Sequence, residues 1–222
     1  MVAWNTELHA PIKLFGTLVD PGPDVTWEPG VEEINNLTPK ICADYGMADD
    51  KACRYVMSWY GSSDVACAHN GNVFDRPLLE TWAKKYGLDA QPGKVWIDTK
   101  ADLDTPPRNS TRLTYMAADN GFLNPFPHRA MFDVMTMFKI LDKYNIDEVL
   151  EVSKSPTLRV KALVSFDQKD LAKNRGFHPA YEIHSDGSRG KFLCWEMSVK
   201  ECKLPKEREA CHVVGFEIAV IS

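Results

Sequence analysis

The 222-residue chain lacks several patterns that would place it in common protein classes. None of its six cysteines lies in a C-x-x-C pair, and zinc ribbons and fingers need such local pairs, so we expect no structural zinc site. No apolar stretch approaches the ~18 residues of a membrane helix, and the first residues show no basic start followed by an apolar run. Gly-x-Ser-x-Gly is also absent, which argues against a serine hydrolase. These absences predict a cytoplasmic protein with reduced thiols and no membrane partner.

The chain also lacks the basic character of a simple nucleic-acid scaffold, because its net charge is −5. The charge is unevenly spread: residues 1–153 hold 14 Lys and Arg against 22 Asp and Glu, a net charge of −8. Residues 154–222 have a net charge of +3. An acidic body with a mildly basic appendage is consistent with carboxylates that collect metal ions and a separate surface that tolerates phosphate.

The hydrophobic pattern predicts antiparallel strands first and then strands that alternate with helices. This order is typical of an α/β fold with a mixed sheet and helices on its faces. The predicted strands of this part are 1–4, 12–19, 64–69 and 95–99, and the predicted helices are 29–34, 49–60, 76–86, 111–119 and 130–144, with a further helix start at Thr38-Pro39.

A boundary is predicted near Ser153–Pro156, which divides the chain into domains 1–153 and 154–222. The pattern beyond it predicts a small α+β module, with strands at 158–166, 191–199 and 211–221 and a helix at 168–175 ended by Gly176. A region of this size is small for an independent core.

The strongest local signal is the segment AHNGNVFD, in which a buried strand ends in a polar tip and Asp75 then opens a helix. A carboxylate at such a junction can extend beyond the sheet edge toward a ligand. Asp is also a good helix N-cap, and both interpretations of Asp75 stay open at this point.

The second signal is HRAMFD, where His128 precedes a helix and Asp133 lies in its first turns. Five helical residues rotate by ~500°, so the two side chains converge only if His128 lies on the preceding loop. The apolar residues after Asp133 predict that it is partly buried and needs a partner. A packing or surface role for His128 is the alternative.

Together the two segments resemble a known family. AHNGNVFDRPLLE is similar to the second motif of the DEDDh 3′-5′ exonucleases, and HRAMFD is similar to their third motif, His-x-Ala-x-x-Asp. These enzymes include the proofreading subunit of bacterial DNA polymerase III and its phage relatives. LVDPGPDVTWEPGVEEINNLTPKI and STRLTYMAADNGF also resemble segments of the family, so the resemblance covers roughly residues 1–145.

The resemblance implies an RNase H-like fold and hydrolysis of phosphodiester bonds at nucleic-acid 3′ ends, with DNA favoured. It implies that Asp75 and Asp133 hold Mg²⁺ or Mn²⁺ and that His128 is the general base. Two ions ~3.5–4 Å apart can activate water and stabilise the leaving oxygen, and carboxylates suit such hard cations. Asn70 and Phe74 become candidates for contacting single-stranded DNA, although packing explains Phe74 equally well. A polymerase or replication partner is a further expectation.

The family's first motif, Asp-x-Glu, is not evident in this sequence. Asn5-Thr6-Glu7 has similar letters, but two strands and their turns, which need roughly 15–20 residues, should separate the motif from the turn at Pro21-Gly22. We therefore expect residues 1–4 to correspond to the family's second strand. A late start or a fragment, a pseudoenzyme that keeps the fold for binding, and a substitute acid such as Asp98 all remain open. The printed chain is predicted to have little nuclease activity.

The C-terminal module resembles, more weakly, an extension of some phage exonucleases in the segments ALVSFDQKDLAKNRGF and FLCWEMSVK. Lys173 and Arg175 are its candidates for guiding a nucleic-acid strand, with Lys161, Lys169 and Lys191 as possible helpers. Such contacts would make binding depend on salt. The alternative is a solvated charged face over a structural module.

Overall fold

A computed structural model describes residues 1–28, 30–104 and 111–221 of this chain. These residues form two compact units, one of residues 1–28, 30–103 and 111–153 and the other of Asp104 and residues 154–221. Among the described helices, none has both the length and the apolar character needed to cross a membrane.

The first unit contains three separate pairs of strands, surrounded by helices. β1 pairs antiparallel with β2, whereas β3 with β4 and β5 with β6 are parallel pairs. The strands are β1 Val2–Asn5, β2 Ala10–Leu14, β3 Val19–Asp20, β4 Met47–Ala48, β5 Val65–Ala68 and β6 Val95–Asp98. The helices are α1 Val31–Asn35, α2 Pro39–Tyr45, α3 Asp49–Ser62, α4 Asp75–Lys85, α5 Leu113–Asp119, α6 Ala130–Leu141 and α7 Ile146–Lys154.

Local chemistry accounts for several helix ends. Thr38 Oγ1 accepts the backbone N–H of Ile41 at 3.2 Å, and Pro39 occupies the first helical position of α2, as the sequence predicts. Gly87 follows α4 with φ 64°, a left-handed conformation that suits glycine. These residues set the bounds of the helices within one or two positions of the predicted ones.

The β5–β6 pair lies between two hydrophobic clusters because neighbouring strand residues point to opposite faces. Trp96 packs with Ala66 and Tyr60 on the α3–α4 side. Its neighbour Ile97 packs with Ile140 and residues of α5, α6 and α7 on the other side. Burial on both faces is typical of parallel strands, and it confirms the predicted α/β class with a layer of strands between helices.

The β1–β2 hairpin lies between helices of the same two layers. The rings of Trp4 and Phe138 of α6 stack with centroids 5.2 Å apart. Phe15, just after β2, stacks on Tyr55 of α3 at 5.3 Å. Both strand pairs are therefore held between α3 on one face and α6 on the other.

The second unit has the order strand–helix–strand–strand–helix–strand. Its strands form one antiparallel sheet in the order β10-β7-β9-β8, which is the split βαβ arrangement. A core that includes Val160, Phe177 and Phe216 joins the sheet to its helices. The elements are β7 Thr157–Leu163, α8 Lys169–Asn174, β8 His178–Ile183, β9 Arg189–Lys200, α9 Leu204–Val214 and β10 Glu217–Val220.

Four sequence-based predictions of secondary structure differ from the structure. The predicted strand 211–221 is wrong in its first half, because residues 204–214 form α9 and Gly215, with φ 102°, ends that helix before β10. Strand β8 and helix α7 were not predicted, and β2 ends at Leu14 instead of Val19. The apolar letters of CHVV fit a helix face as well as a strand, and only the fully buried Cys211 against the core decides between them.

Candidate metal and nucleic-acid site

The loop between β5 and α4 is a tight reversal that carries the polar tip predicted from the sequence. Asn70 adopts φ 69°, a conformation that is uncommon for a residue other than glycine. Gly71 passes so close to β5 that an added Cβ would lie 2.7 Å from Ala68 Cβ. The loop therefore needs glycine at position 71, and it turns the chain directly from the end of β5 into α4.

Asp98, at the end of β6, holds this loop in place. Its side chain is buried, and its carboxylate accepts the backbone N–H groups of Asn70 at 2.8 Å and Asn72 at 3.1 Å. It also accepts the N–H of Lys100 at 3.1 Å. These bonds occupy Asp98 with positioning the loop, and this gives no support to its role as a substitute metal ligand.

Asp75 is the first residue of α4, and the N-cap position belongs to Phe74. The structure therefore does not support the capping interpretation of Asp75. Its carboxyl is half-buried, and burial raises its pKa, with the charge of Asp98 adding to the effect and its own backbone amide opposing it. A partly desolvated carboxylate of this kind is common where a ligand is held.

Asp133 lies in the first turn of α6 and is also half-buried. Asn124, a buried residue that the sequence analysis did not single out, donates from Nδ2 to Asp133 Oδ1 at 2.7 Å. Burial raises the pKa of Asp133 most strongly, whereas the backbone amide and charge of His128 and the Asn124 side chain lower it. The expected partner of Asp133 is thus an amide, which leaves its negative charge uncompensated.

His128 lies on the loop before α6, which begins at Ala130, so it is placed as the helical geometry required. It is exposed and has φ 65°, a second left-handed residue at this site. Strained backbone of this kind is concentrated at functional sites. The exposed rings of Phe126 and Phe132 flank it in sequence and lie 4.7 Å apart at 59°.

One cavity of about 490 Å³ brings the two carboxylates together. Asp75 and Asp133 both line it, together with His69 and Phe74. His69 Nδ1 lies 3.0 Å from Thr99 Oγ1, and burial lowers the His69 pKa most strongly. Sequence reasoning passed over His69 as a strand residue, although its position directly after β5 could have indicated it.

The donor set suits a hard divalent cation in kind but is small. Asp75 and Asp133 offer carboxylate oxygens, and within the described residues neither is paired with a lysine or arginine. No group of three or more His, Cys, Asp or Glu side chains in the described ranges could enclose a metal ion. The two acids therefore supply part of a coordination set.

The remaining candidates fall into two groups. Asn70 accepts Lys100 Nζ through Oδ1 at 3.0 Å, so it places an exposed cation beside the cavity, and Phe74 is 64% exposed on the cavity wall. In the second unit, Lys173 contacts Asp170 at 3.0 Å. Arg175 donates to both carboxylate oxygens of Glu207 at 2.8 and 2.7 Å, so its charge already has a partner. Nucleic-acid binding by these residues stays a prediction.

The raised pKa of Asp75 predicts a pH-dependent gain in stability for Asp75→Asn. Burial raises the folded pKa above that of the unfolded chain, so the carboxyl destabilises the fold increasingly as the pH rises through the raised value. At pH 7.5 the substitution is expected to increase the free energy of unfolding by about 1 kcal/mol. Urea denaturation should show the gain shrink as the pH falls toward the ordinary value of 3.8. An equal gain at all pH values would contradict this account.

No protein-family model and no curated protein sequence matches this chain. Its fold is similar to solved structures of E. coli exonuclease I. The complex with a 5cy-dT13 oligonucleotide has a TM-score of 0.63 and 12% identity and covers 97% of this chain and 63% of that one. The complex with dA16 has a TM-score of 0.55 and 15% identity and covers 92% and 61%.

The zinc-bound exonuclease I–ssDNA complex has a TM-score of 0.62 and 13% identity over 92% of this chain and 61% of that one. This chain spans about three fifths of the length of the exonuclease I chains. Identity this low establishes the fold alone, and the fold is the RNase H-like arrangement that the sequence motifs predict.

Proposed function

We propose that this chain is a 3′-5′ exonuclease domain that acts on single-stranded DNA with Mg²⁺ or Mn²⁺. The observation that carries the proposal is that Asp75 and Asp133, far apart in sequence, line one cavity at the carboxyl end of β5. The solved structures of similar fold that contain oligonucleotides are complexes of a DNA exonuclease, which supports the choice of substrate.

Each candidate residue has a distinct task in this proposal. Asp75 and Asp133 hold the cation with carboxylates that burial makes less well solvated, so a bound cation relieves an unfavourable charge. When bound, the ion supplies electrostatic stabilisation of the phosphate. His128, exposed on its loop, takes a proton from the attacking water.

The surroundings of the cavity are suited to the end of a DNA strand. Lys100, held by Asn70, offers a cation for a backbone phosphate. The exposed rings of Phe74, Phe126 and Phe132 offer faces on which bases can stack, a contact that tolerates any sequence. These features favour a single-stranded substrate over a duplex, whose bases are already stacked.

The direct test is the end specificity of hydrolysis. A 5′-fluorescent oligonucleotide with Mg²⁺ or Mn²⁺ should shorten one nucleotide at a time from its 3′ end, and a 3′-terminal phosphorothioate linkage should block the reaction. We expect a slow reaction, because the described residues hold fewer than three metal ligands in any one group. Internal cleavage, or shortening from the 5′ end, would rule out this function.

The small ligand set favours one alternative, a catalytically silent DNA-binding protein on the same fold. Such a protein would bind the oligonucleotide with the same salt dependence but would leave it intact with either metal. Binding isotherms at two salt concentrations, measured beside the hydrolysis assay, separate the two functions.

A further inference from the structure

The cavity beside Asp75 and Asp133 is a channel with four walls. Two of its walls are helical: Val56 and Trp59 of α3 lie on one face, and Val134 and Met137 of α6 lie on the other. The remaining two walls are strands. Val2 and Ala3 of β1 form one edge, and the whole of β5 with His69 forms the other, as the lining residues of the cavity show.

Both of these strands have an open edge toward the channel. Within the described residues, β1 pairs only with β2, and β5 pairs only with β6. Met1 and Phe15 exchange both backbone hydrogen bonds, at 2.6 and 3.0 Å. Because such pairs alternate along an antiparallel ladder, the N–H and C=O of the next residue, Val2, point away from β2. Open edges of this kind are templates for another strand.

We propose that this channel is an acceptor for one extended polypeptide segment, supplied by a separate molecule, that pairs with β1 and β5 at once. Only a polypeptide brings a row of backbone donors and acceptors for two strand edges together with apolar side chains for two helical faces. A segment that spans β5 needs four residues, about 13 Å of strand. Alternate residues would face α3 and α6, and both faces require apolar side chains.

The polar end of the channel specifies the rest of the segment. His69, directly after β5, lies at this end, and Asp75 and Asp133 line the same cavity. A segment that runs parallel to β5, as β6 does, has its carboxyl end beside them. Acidic residues at that end would add the oxygen ligands that the two aspartates lack. This part of the inference rests on the proposed function, whereas the strand pairing does not.

The test uses a synthetic peptide, fluorescein-labelled Lys-Val-Thr-Val-Ile-Asp-Val-Glu with an amidated end, and fluorescence anisotropy on the full chain. The wild-type protein should bind it saturably. Val2→Pro removes the outward N–H without removing a bond to β2, and it should weaken binding about fivefold. The matched control is Leu14→Pro, the residue paired with Val2 on the outer edge of the hairpin, and its affinity should stay within about twofold.

Equal affinities of the Val2→Pro and Leu14→Pro proteins, or no binding to the wild type, would overturn the acceptor proposal. Saturable self-association of the wild type, weakened by Val2→Pro and blocking the peptide, would also overturn it, because the occupant would then be a second copy. A peptide with Asn and Gln in place of its two acids separates the two proposals. It should bind equally well, but only the acidic peptide should strengthen Mn²⁺ binding, measured by electron paramagnetic resonance. Peptide binding without that effect leaves the acceptor intact and counts against the proposed function.

Discussion

Replacing either Asp75 or Asp133 with asparagine is expected to weaken Mn²⁺ binding by at least roughly a hundredfold. Loss of residues that only support metal ligands costs 10- to 100-fold in affinity, and loss of a ligand should cost no less. Both carboxylates are half-buried without a lysine or arginine partner in the described residues, so each substitution removes a charge that a cation would otherwise neutralise. Titration of free Mn²⁺ by electron paramagnetic resonance measures the change without relying on hydrolysis.

The matched control is Asp50→Asn. Asp50 also lies in the first turn of a helix, α3, but it is exposed and does not line the cavity. Its replacement should leave the Mn²⁺ affinity within about twofold, since it alters only a helix-end charge interaction. Equal weakening by Asp50→Asn would mean that helix-end charge, and not a shared site, determines metal affinity.

His128→Ala should separate metal binding from catalysis. His128 is exposed on the loop before α6 and is not among the residues that line the cavity, so Mn²⁺ affinity should change by less than about twofold. Release of nucleotides from the 3′ end should slow by about a hundredfold, the lower end of the usual contribution of a general base. If metal affinity and turnover fell together, His128 would be assigned to holding the loop that binds Asp133.

Asp98→Ala is expected to lower the free energy of unfolding by on the order of 3 kcal/mol, because it removes the acceptor of three backbone amides at once. Asp98 is 3% exposed, so little water can reach the amides of Asn70 and Asn72 to replace the lost carboxylate. Urea denaturation measures the loss. Hydrogen exchange should become faster in residues 69–74, the loop that carries the chain to Asp75.

The control for this substitution is Asp89→Ala. Asp89 also accepts a backbone amide, that of Gln91 at 2.8 Å, but it is exposed and lies in a surface turn. Its loss should cost less than about 1 kcal/mol, since water can satisfy the released amide. A similarly small cost for Asp98→Ala, with unchanged exchange in residues 69–74, would show that the loop does not depend on Asp98.

The first unit was the more predictable part of the fold. Its helix starts and stops follow from residues such as Pro39 and Gly87, whose backbone preferences act within one turn. The second unit was less predictable, because the apolar segment at Cys211 is compatible with a strand or a helix face. Strand β8 begins with an exposed His178-Pro179 pair, a weak strand signal that only its pairing with β9 overrides.

The sequence by itself determined the identity of the candidate residues and their local settings. Asp75 starts a helix after a buried strand, and His128 and Asp133 occupy the loop and first turn of another helix, because these arrangements depend on neighbours a few residues away. Tertiary structure alone decided that Asp75 and Asp133 share a cavity, that Asp98 and Asn124 support them, and that β1 and β5 leave a channel between their edges. Contacts between distant segments depend on how the layers pack, and no local preference along the chain contains that information.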